Sequence, residues 1–493
     1  MTEQDLIIYE NELIRIYSPN IHKAGGTIFI YLHKPSGQVI IVDCGIGFSA
    51  HKMNKDITKP DLTEMELVIM RLIRDLIRRR NPKPIDALLT HGHFDHIAGV
   101  EILSREFEMM WHGSPTTEAM LNRSRHANKR SNEEIKENSK IKFNPLKAEY
   151  GTLNLGKFVI KYFPTVHSIP ETLSFIVETI DGFKGLHMAE FRTKECSLFP
   201  GLSDKMFRGV TAGAEGKEYD VVLFDALRSE PGISRSEDTI EKPIEKILTS
   251  PDFPEEGALI LPFISSKVGQ IGIIQKIANR HGCTMFPAGR AMAEMTAYAR
   301  SKGWIEEQIK FTDKKFKRLL IPCTGSQNEP GAALPRALEG SARDLCLVPT
   351  DWLFMVQCII PQYKDTAGEM YRNILRRCNR FVAGYSDIKH IGLHTGNNKV
   401  ILADKLIGEK FETSSGHGRL GDQKLLKAAA PCKNNNYIGY QCEEEPTEPA
   451  DAEVKPSEIE KPITTKSELL TLVDNYITSL NQRNMAEPRP RIY

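Results

Sequence analysis

Residues 90–96 read Thr90-His91-Gly92-His93-Phe94-Asp95-His96, three imidazoles and one carboxylate within six positions. Divalent-metal chemistry needs such a density of donors, because neutral imidazole and carboxylate are the common protein ligands of zinc and its neighbours. His91 and His93 stand two apart, so an extended or turning backbone can aim both at one ion. Asp95 and His96 can then face a second ion beside it. The bland alternative is a polar loop with incidental histidines, and four donors packed this closely argue against it.

The cluster directly follows a short apolar run, residues 85–89, that reads as a buried strand. A helix fits residues 62–80, with Leu67, Met70, Ile73 and Ile77 at helical spacing and Asn81-Pro82 marking its end. Strands are expected at 13–17, 26–32, 38–43, 157–163, 172–180 and 220–224, so the N-terminal part reads as layered α/β. From about residue 234 a second α/β texture begins. It runs from a strand at 258–263 through a helix at 269–280, a strand at 283–287 and a helix at 292–302 to a strand at 318–323. The last strand ends in Thr324-Gly325-Ser326, and these units suit a parallel sheet. Beyond about residue 380 short strands return, with a glycine-rich loop at Gly416-His417-Gly418. The expected organisation is therefore 1–232, an insert at 233–380, a return at 381–443 and a tail at 444–493.

Composition narrows the class. The 493 residues are 40% hydrophobic and 26% charged, with 65 Lys plus Arg against 64 Asp plus Glu and a net charge of +1. A strongly basic arm protein is excluded, so any nucleic-acid contact must come from local patches. Candidate patches are Arg123, Arg125, Lys129 and Arg130; Lys314, Lys315, Lys317 and Arg318; and Arg372, Arg376, Arg377 and Arg380. Residues 443–460 carry eight acidic side chains against Lys455 alone, so the rest of the chain is more basic than the total implies. That segment reads as a solvated linker, and an amphipathic helix at 467–480 could dock on its own chain, on another copy or on a protein partner. The nine cysteines contain no CxxC pair, the start has no basic-then-apolar leader, and no apolar run is long enough to span a membrane. A cytoplasmic protein with no membrane partner is the expectation.

His91-x-His93-x-Asp95-His96 resembles the signature of the metallo-β-lactamase fold, a four-layer αββα sandwich that binds two metals, usually zinc. Val42-Asp43-Cys44-Gly45 resembles that family's early aspartate-glycine turn, and His167 in His167-Ser168-Ile169-Pro170 resembles its next histidine ligand. The surrounding words are similar to the ribonuclease J family: Asp225 followed by Ser229-Glu230-Pro231-Gly232, and Thr324-Gly325-Ser326-Gln327-Asn328-Glu329-Pro330. Residues 258–263 with Gly289-Arg290 resemble the start of a β-CASP insertion, a parallel α/β domain that marks nucleic-acid-cleaving members. Ser415-Gly416-His417-Gly418 resembles the second motif of that group, whose histidine sits close to the scissile phosphate.

The resemblance implies a metal-dependent hydrolase of single-stranded RNA, acting as an endonuclease, a 5′-exonuclease or both, with single-stranded DNA as a further substrate. It implies His91, His93 and His167 on one metal, Asp95 and His96 on the second, and Glu190 shared, with Asp43 orienting ligands from behind. Asp95, Asp225 and His417 are the implied catalytic groups. Ser265, Ser326, Gly416 and His417 are the implied substrate contacts. The chain departs from the family at three places. Ala189-Glu190-Phe191 stands where Gly-Asp-Phe is usual, so the shared carboxylate is one methylene longer. Gln441 stands in place of a last histidine ligand, and an amide suits Mg²⁺ or Mn²⁺ better than Zn²⁺. Ser265-Ser266-Lys267-Val268-Gly269 replaces a His-Arg stretch. Two other functions stand beside the enzyme: an RNA-binding scaffold subunit weakened in catalysis, and a small-molecule metallo-hydrolase, which the inserted domain argues against.

Overall fold

Single strands in this chain serve two cores at once, because alternate side chains point to opposite faces. Phe29 and Tyr31 pack into one buried cluster while their neighbours Ile28 and Ile30 pack into another. The computed structural model describes residues 3–18, 26–45, 64–78, 85–127, 141–194, 196, 218–227, 232–308, 318–357, 359, 363–383, 399–411 and 419–440. The chain divides into two compact units, Met1–Glu195 with Pro200–Ser234 and Gly416–Tyr493, and Cys196–Phe199 with Arg235–Ser415.

In the first unit, β1 (Ile7–Glu10), β2 (Ile14–Tyr17), β3 (Phe29–His33), β4 (Val39–Val42), β5 (Ile85–Leu88), β6 (Met109–Gly113) and β7 (Lys142–Pro145) form one sheet in that order. Pairing is antiparallel from β1 to β4 and parallel from β4 to β7. The second sheet runs through β8 (Gly151–Leu155), β9 (Phe158–Pro164), β10 (Leu173–Thr179), β11 (Lys184–His187) and β12 (Val221–Asp225) to an edge strand from far along the chain, Tyr437–Tyr440. Three cores show the layers. Tyr31, Val42 and Leu88 of the first sheet meet Phe158, Phe175 and Leu223 of the second. On its other face the first sheet packs Ile30, Ala87 and Trp111 against α1 (Glu64–Arg78) through Ile69 and Ile73, and against Val100, Leu103 and Leu121. The second sheet covers its outer face with Leu426 and Ala429 of the helix Leu420–Ala429, against Phe163, Val222 and Phe224. This is the expected αββα sandwich. The crossover from β4 to β5 includes α1, and the chain leaves β5 straight into Thr90.

The second unit holds one parallel sheet, β13 (Ala258–Pro262), β14 (Thr284–Met285), β15 (Leu319–Cys323), β16 (Trp352–Phe354), β17 (Arg380–Ala383) and β18 (Val400–Leu402), in the order β14-β15-β13-β16-β17-β18. Its strands read as continuous apolar runs because most are buried on both faces, Leu259, Ile260 and Leu261 being wholly so. The order reverses at β13, and in such sheets the crevice beyond the strand ends at that point is where ligands bind. The texture change near residue 380 does not end this sheet. β17 and β18 pair in parallel with it, and at three or four residues each they are too short to carry a distinct sequence pattern.

Candidate metal centre

The loop after β5 is held from three sides before any ligand is considered. Asp43 takes a left-handed backbone, φ 60°, which lets its carboxylate turn onto the loop. It accepts the Thr90 amide at 2.8 Å and the Thr90 hydroxyl at 2.8 Å and 3.0 Å. The amide of Cys44 donates to the His96 carbonyl at 2.7 Å, and Thr27 donates to the Asp95 carbonyl at 2.9 Å. Gly45 approaches Asp95 so closely that a Cβ would lie 2.0 Å from that carbonyl oxygen, so only glycine serves there. Between the first two histidines, Gly92 rests on Met120 of a helix, Pro115–Ala127, that the sequence reading did not anticipate. Glu171 binds the start of the same helix through the amide and hydroxyl of Thr116, at 3.0 Å and 2.6 Å. That helix therefore backs the His91 loop and the loop that carries His167.

Two donor groups result, His91–His93–His167–Glu190 and Asp95–His96–Glu190, with the donor atoms of each within 4.8 Å of one another. In the first, His93 Nδ1 lies 3.0 Å from His91 Nε2 and 2.9 Å from His167 Nε2. A tetrahedral ion with bonds near 2 Å spaces its donors at roughly 3.3 Å, so three converging ring nitrogens fit one divalent cation. Thr90 Oγ1 lies 2.9 Å from His91 Nδ1, which assigns the ring proton to that side and leaves the Nε2 lone pair facing inward. In the second group, His96 Nδ1 donates to Asp43 at 2.7 Å, so its Nε2 faces Glu190 Oε1 at 3.0 Å and Asp95 at 3.8 Å. Glu190 spans both groups. Its Oε2 lies 3.0 Å from His167 while its Oε1 faces His96. Most of these side chains are buried, but His93 and Asp95 stay 21% and 24% exposed, which opens the cluster to solvent on one side.

Electrostatics separates the two groups. Burial, then the neighbouring rings of His96, His167 and His93, hold the His91 pKa well below its ordinary value, so that ring is neutral. Burial pushes His96 the same way, but the charges of Asp43 and Asp95 and the hydrogen bonds His96 makes to Asp43 and Glu190 outweigh it and raise its pKa well above the ordinary value. The acidic surroundings that favour a proton on His96 equally favour a divalent cation.

The Metallo-beta-lactamase superfamily profile matches residues 25–182, which include the first donors, and the profile of the Ribonuclease J, beta-CASP domain matches residues 256–373. The chain therefore carries a metallo-β-lactamase-superfamily domain and a β-CASP domain of the ribonuclease J type. Among curated relatives, ribonuclease J of Sinorhizobium meliloti is 25% identical over 398 residues, covering 78% of this chain and 65% of its own. Ribonuclease J of Mycolicibacterium smegmatis is 26% identical over 392 residues, 76% of this chain and 63% of its own. The chain thus spans less than two thirds of the length of these relatives. Ribonuclease J of Pyrococcus abyssi matches at 25% over 67% of this chain and 74% of its own. A solved structure of a protein of unknown function from Enterococcus faecalis shares the fold, with a TM-score of 0.51 at 12% identity over 85% of this chain and 92% of that one.

The remaining residues expected in this β-CASP protein are distributed as follows. Asp225 ends β12, fully buried, and accepts the Leu227 amide at 3.0 Å; it belongs to neither donor group. In the second unit Ser265 follows β13 and Ser326 follows β15, both at the strand ends beside the reversal point, and Ser326 is fully buried with its carbonyl accepting the Tyr371 hydroxyl at 2.9 Å. Gly416, His417 and Gln441 lie outside the described residues, as do Lys129, Arg130, Lys314, Lys315, Lys317 and the tail from residue 441. Arg318 is partly buried, and its guanidinium donates to the carbonyls of Leu248 and Phe253. Arg372, Arg376 and Arg377 are exposed. His187, three residues before Glu190, was not anticipated; it is fully buried, its Nδ1 2.9 Å from the Tyr31 hydroxyl. Its position just ahead of the Ala189-Glu190-Phe191 motif was the available signal. Among the described residues no helix is long and apolar enough to cross a membrane.

Proposed function

We propose that this protein is a metal-dependent ribonuclease that hydrolyses phosphodiester bonds of single-stranded RNA in the cytoplasm, endonucleolytically, from the 5′ end, or both. The carrying observation is that two donor groups share one buried carboxylate, with Glu190 turning one oxygen to each. His91, His93 and His167 would hold one cation, Zn²⁺ by the chemistry of its imidazoles, and Asp95 with His96 the other, where the richer oxygen content admits Mn²⁺ or Mg²⁺. Such ions supply Lewis acidity, making water nucleophilic at neutral pH and offsetting charge on the phosphate.

The chain's own residues do the rest. Asp43 and Thr90 fix the ring orientations of His96 and His91, so the site needs little rearrangement to bind its ions. The exposed edges of His93 and Asp95 mark the side from which a phosphodiester enters. In this reading Asp95 would orient the attacking water, and His417 would stabilise the phosphorane or protonate the leaving 3′-oxygen. Ser265, Ser326 and the amides about Gly416 are the substrate contacts of this reading, and Asp225 orients a neighbouring group. Gln441 would add a neutral oxygen donor for the second cation.

The test uses the full chain with Mn²⁺ or Zn²⁺ and RNA labelled at either end. Wild type should cleave and Asp95→Ala/His96→Ala should not. Equal cleavage by the double variant would sink the proposal, and RNA binding without cleavage by wild type would favour the scaffold.

A further inference from the structure

Asp422 belongs to neither donor group and to none of the sequence motifs, yet its carboxylate is fully buried near the start of the helix Leu420–Ala429. Its Oδ1 accepts the Thr193 amide at 3.0 Å and also the Thr193 hydroxyl. Its Oδ2 accepts the Ser234 amide at 2.8 Å and the Arg419 amide at 2.9 Å. Four donors saturate the useful lone pairs of a carboxylate, and such charge-assisted bonds are what makes burying it tolerable. The same segments are joined twice more. Ser234 Oγ accepts the Arg419 amide at 3.1 Å, and the Gly421 amide donates to the Gly232 carbonyl at 2.9 Å.

Those segments are the ones by which the chain leaves and re-enters the first unit. It leaves after Glu195 and again after Ser234, and returns for the last time at Gly416. Thr193 stands three residues beyond Glu190, and Arg419 two residues beyond His417. Within the Glu190 loop, the Arg192 amide also donates to the Val166 carbonyl at 2.9 Å, next to His167. A carboxylate at the third helical position needs only the amide three residues earlier, here that of Arg419, to cap its helix. The bonds to Thr193 and Ser234 serve no helix.

We propose that Asp422 is a positioning residue for the hydrolytic site. It clamps the segment that follows Glu190 to the segments leading into and back from the inserted unit, so that the metal-bridging carboxylate and the chain around residue 419 keep one register. The proposal rests on the ribonuclease reading for its effect on turnover, while the clamp itself is read from exchange of the clamped amides.

Asp422→Asn keeps the shape but turns an N–H₂ toward either Thr193 or the Ser234 and Arg419 amides, all of them donors. In the full chain its kcat should fall about ten- to a hundredfold, the usual consequence of a small misplacement, with KM for RNA and bound metal per chain unchanged. Hydrogen exchange at the Thr193, Ser234 and Arg419 amides should accelerate together. Ser234→Ala removes one bond between the same segments without disturbing the carboxylate, and should lower kcat about fivefold, the worth of one hydrogen bond. Faster exchange confined to Arg419, with kcat unchanged in both variants, would reduce Asp422 to a helix cap and overturn the proposal. If wild type itself cleaves no RNA, the functional reading fails separately, and the exchange data still decide the clamp.

Discussion

The two donor groups that meet at Glu190 are built from different chemistry. One is three imidazoles on two loops, with His91 kept neutral by burial and by its neighbours. The other sets a single imidazole, His96, among the carboxylates Asp43, Asp95 and Glu190, and the negative charge overcomes the same burial. A soft nitrogen-rich group and a hard oxygen-rich group beside it share one ligand, so each should bind its own cation while losing Glu190 harms both.

The largest expected effect follows from that sharing. Glu190→Ala should strip both cations and lower turnover about a thousandfold or more, some 4 kcal/mol of barrier. Metal analysis of the dialysed variant checks it, and a variant that keeps one cation would show the groups to be independent. His187 sharpens the contrast from the other side, as a buried imidazole that no carboxylate holds. Burial lowers its pKa to about 4, while the unfolded chain takes the proton near its ordinary 6.5. The stabilisation from this neutral ring is therefore present above about pH 6.5 and lost as pH falls towards 4, amounting to about 3 kcal/mol. Denaturant melts of the metal-free chain should show that slope, to which the buried His91 adds in the same direction, and His187→Gln should reduce it by about that amount.

Asp43→Asn keeps a residue that tolerates the left-handed backbone but weakens the hold on His96. It should cost about ten- to a hundredfold in affinity for the second cation and less for the first, whose His91 Asp43 reaches only through Thr90, measured by metal titration. Equal loss at both groups would mean that Asp43 orients the whole loop and not one ring. Last, Asp95→His should shift the second group's preference from Mn²⁺ towards Zn²⁺, on the order of tenfold in a competition experiment.

Much of this was legible because it is local. Four donors within six residues announce a metal loop, and the apolar run before them announces the strand that aims it. The continuous apolar runs of β3 and β12 announce strands buried on both faces, and strand geometry sends their alternate side chains to two cores. What stayed hidden was non-local or weakly patterned. The helix Pro115–Ala127 is largely polar, so nothing in its sequence marks Met120 and Thr116 as the supports of Gly92 and Glu171. Asp422 looks like any acidic residue in a first helical turn, and its bond to Thr193, 229 positions away, exists only in the fold. Short strands were expected beyond residue 380, but three or four residues carry too little pattern to assign β17 and β18 to the inserted sheet.

The central claim is that Glu190 bridges two cations. Anomalous diffraction from crystals soaked with Mn²⁺ tests it most directly. The account predicts two peaks, one among His91, His93 and His167 and one beside Asp95 and His96, with an oxygen of Glu190 on each. A single peak among the three histidines, with Glu190 turned away from it, would contradict the account.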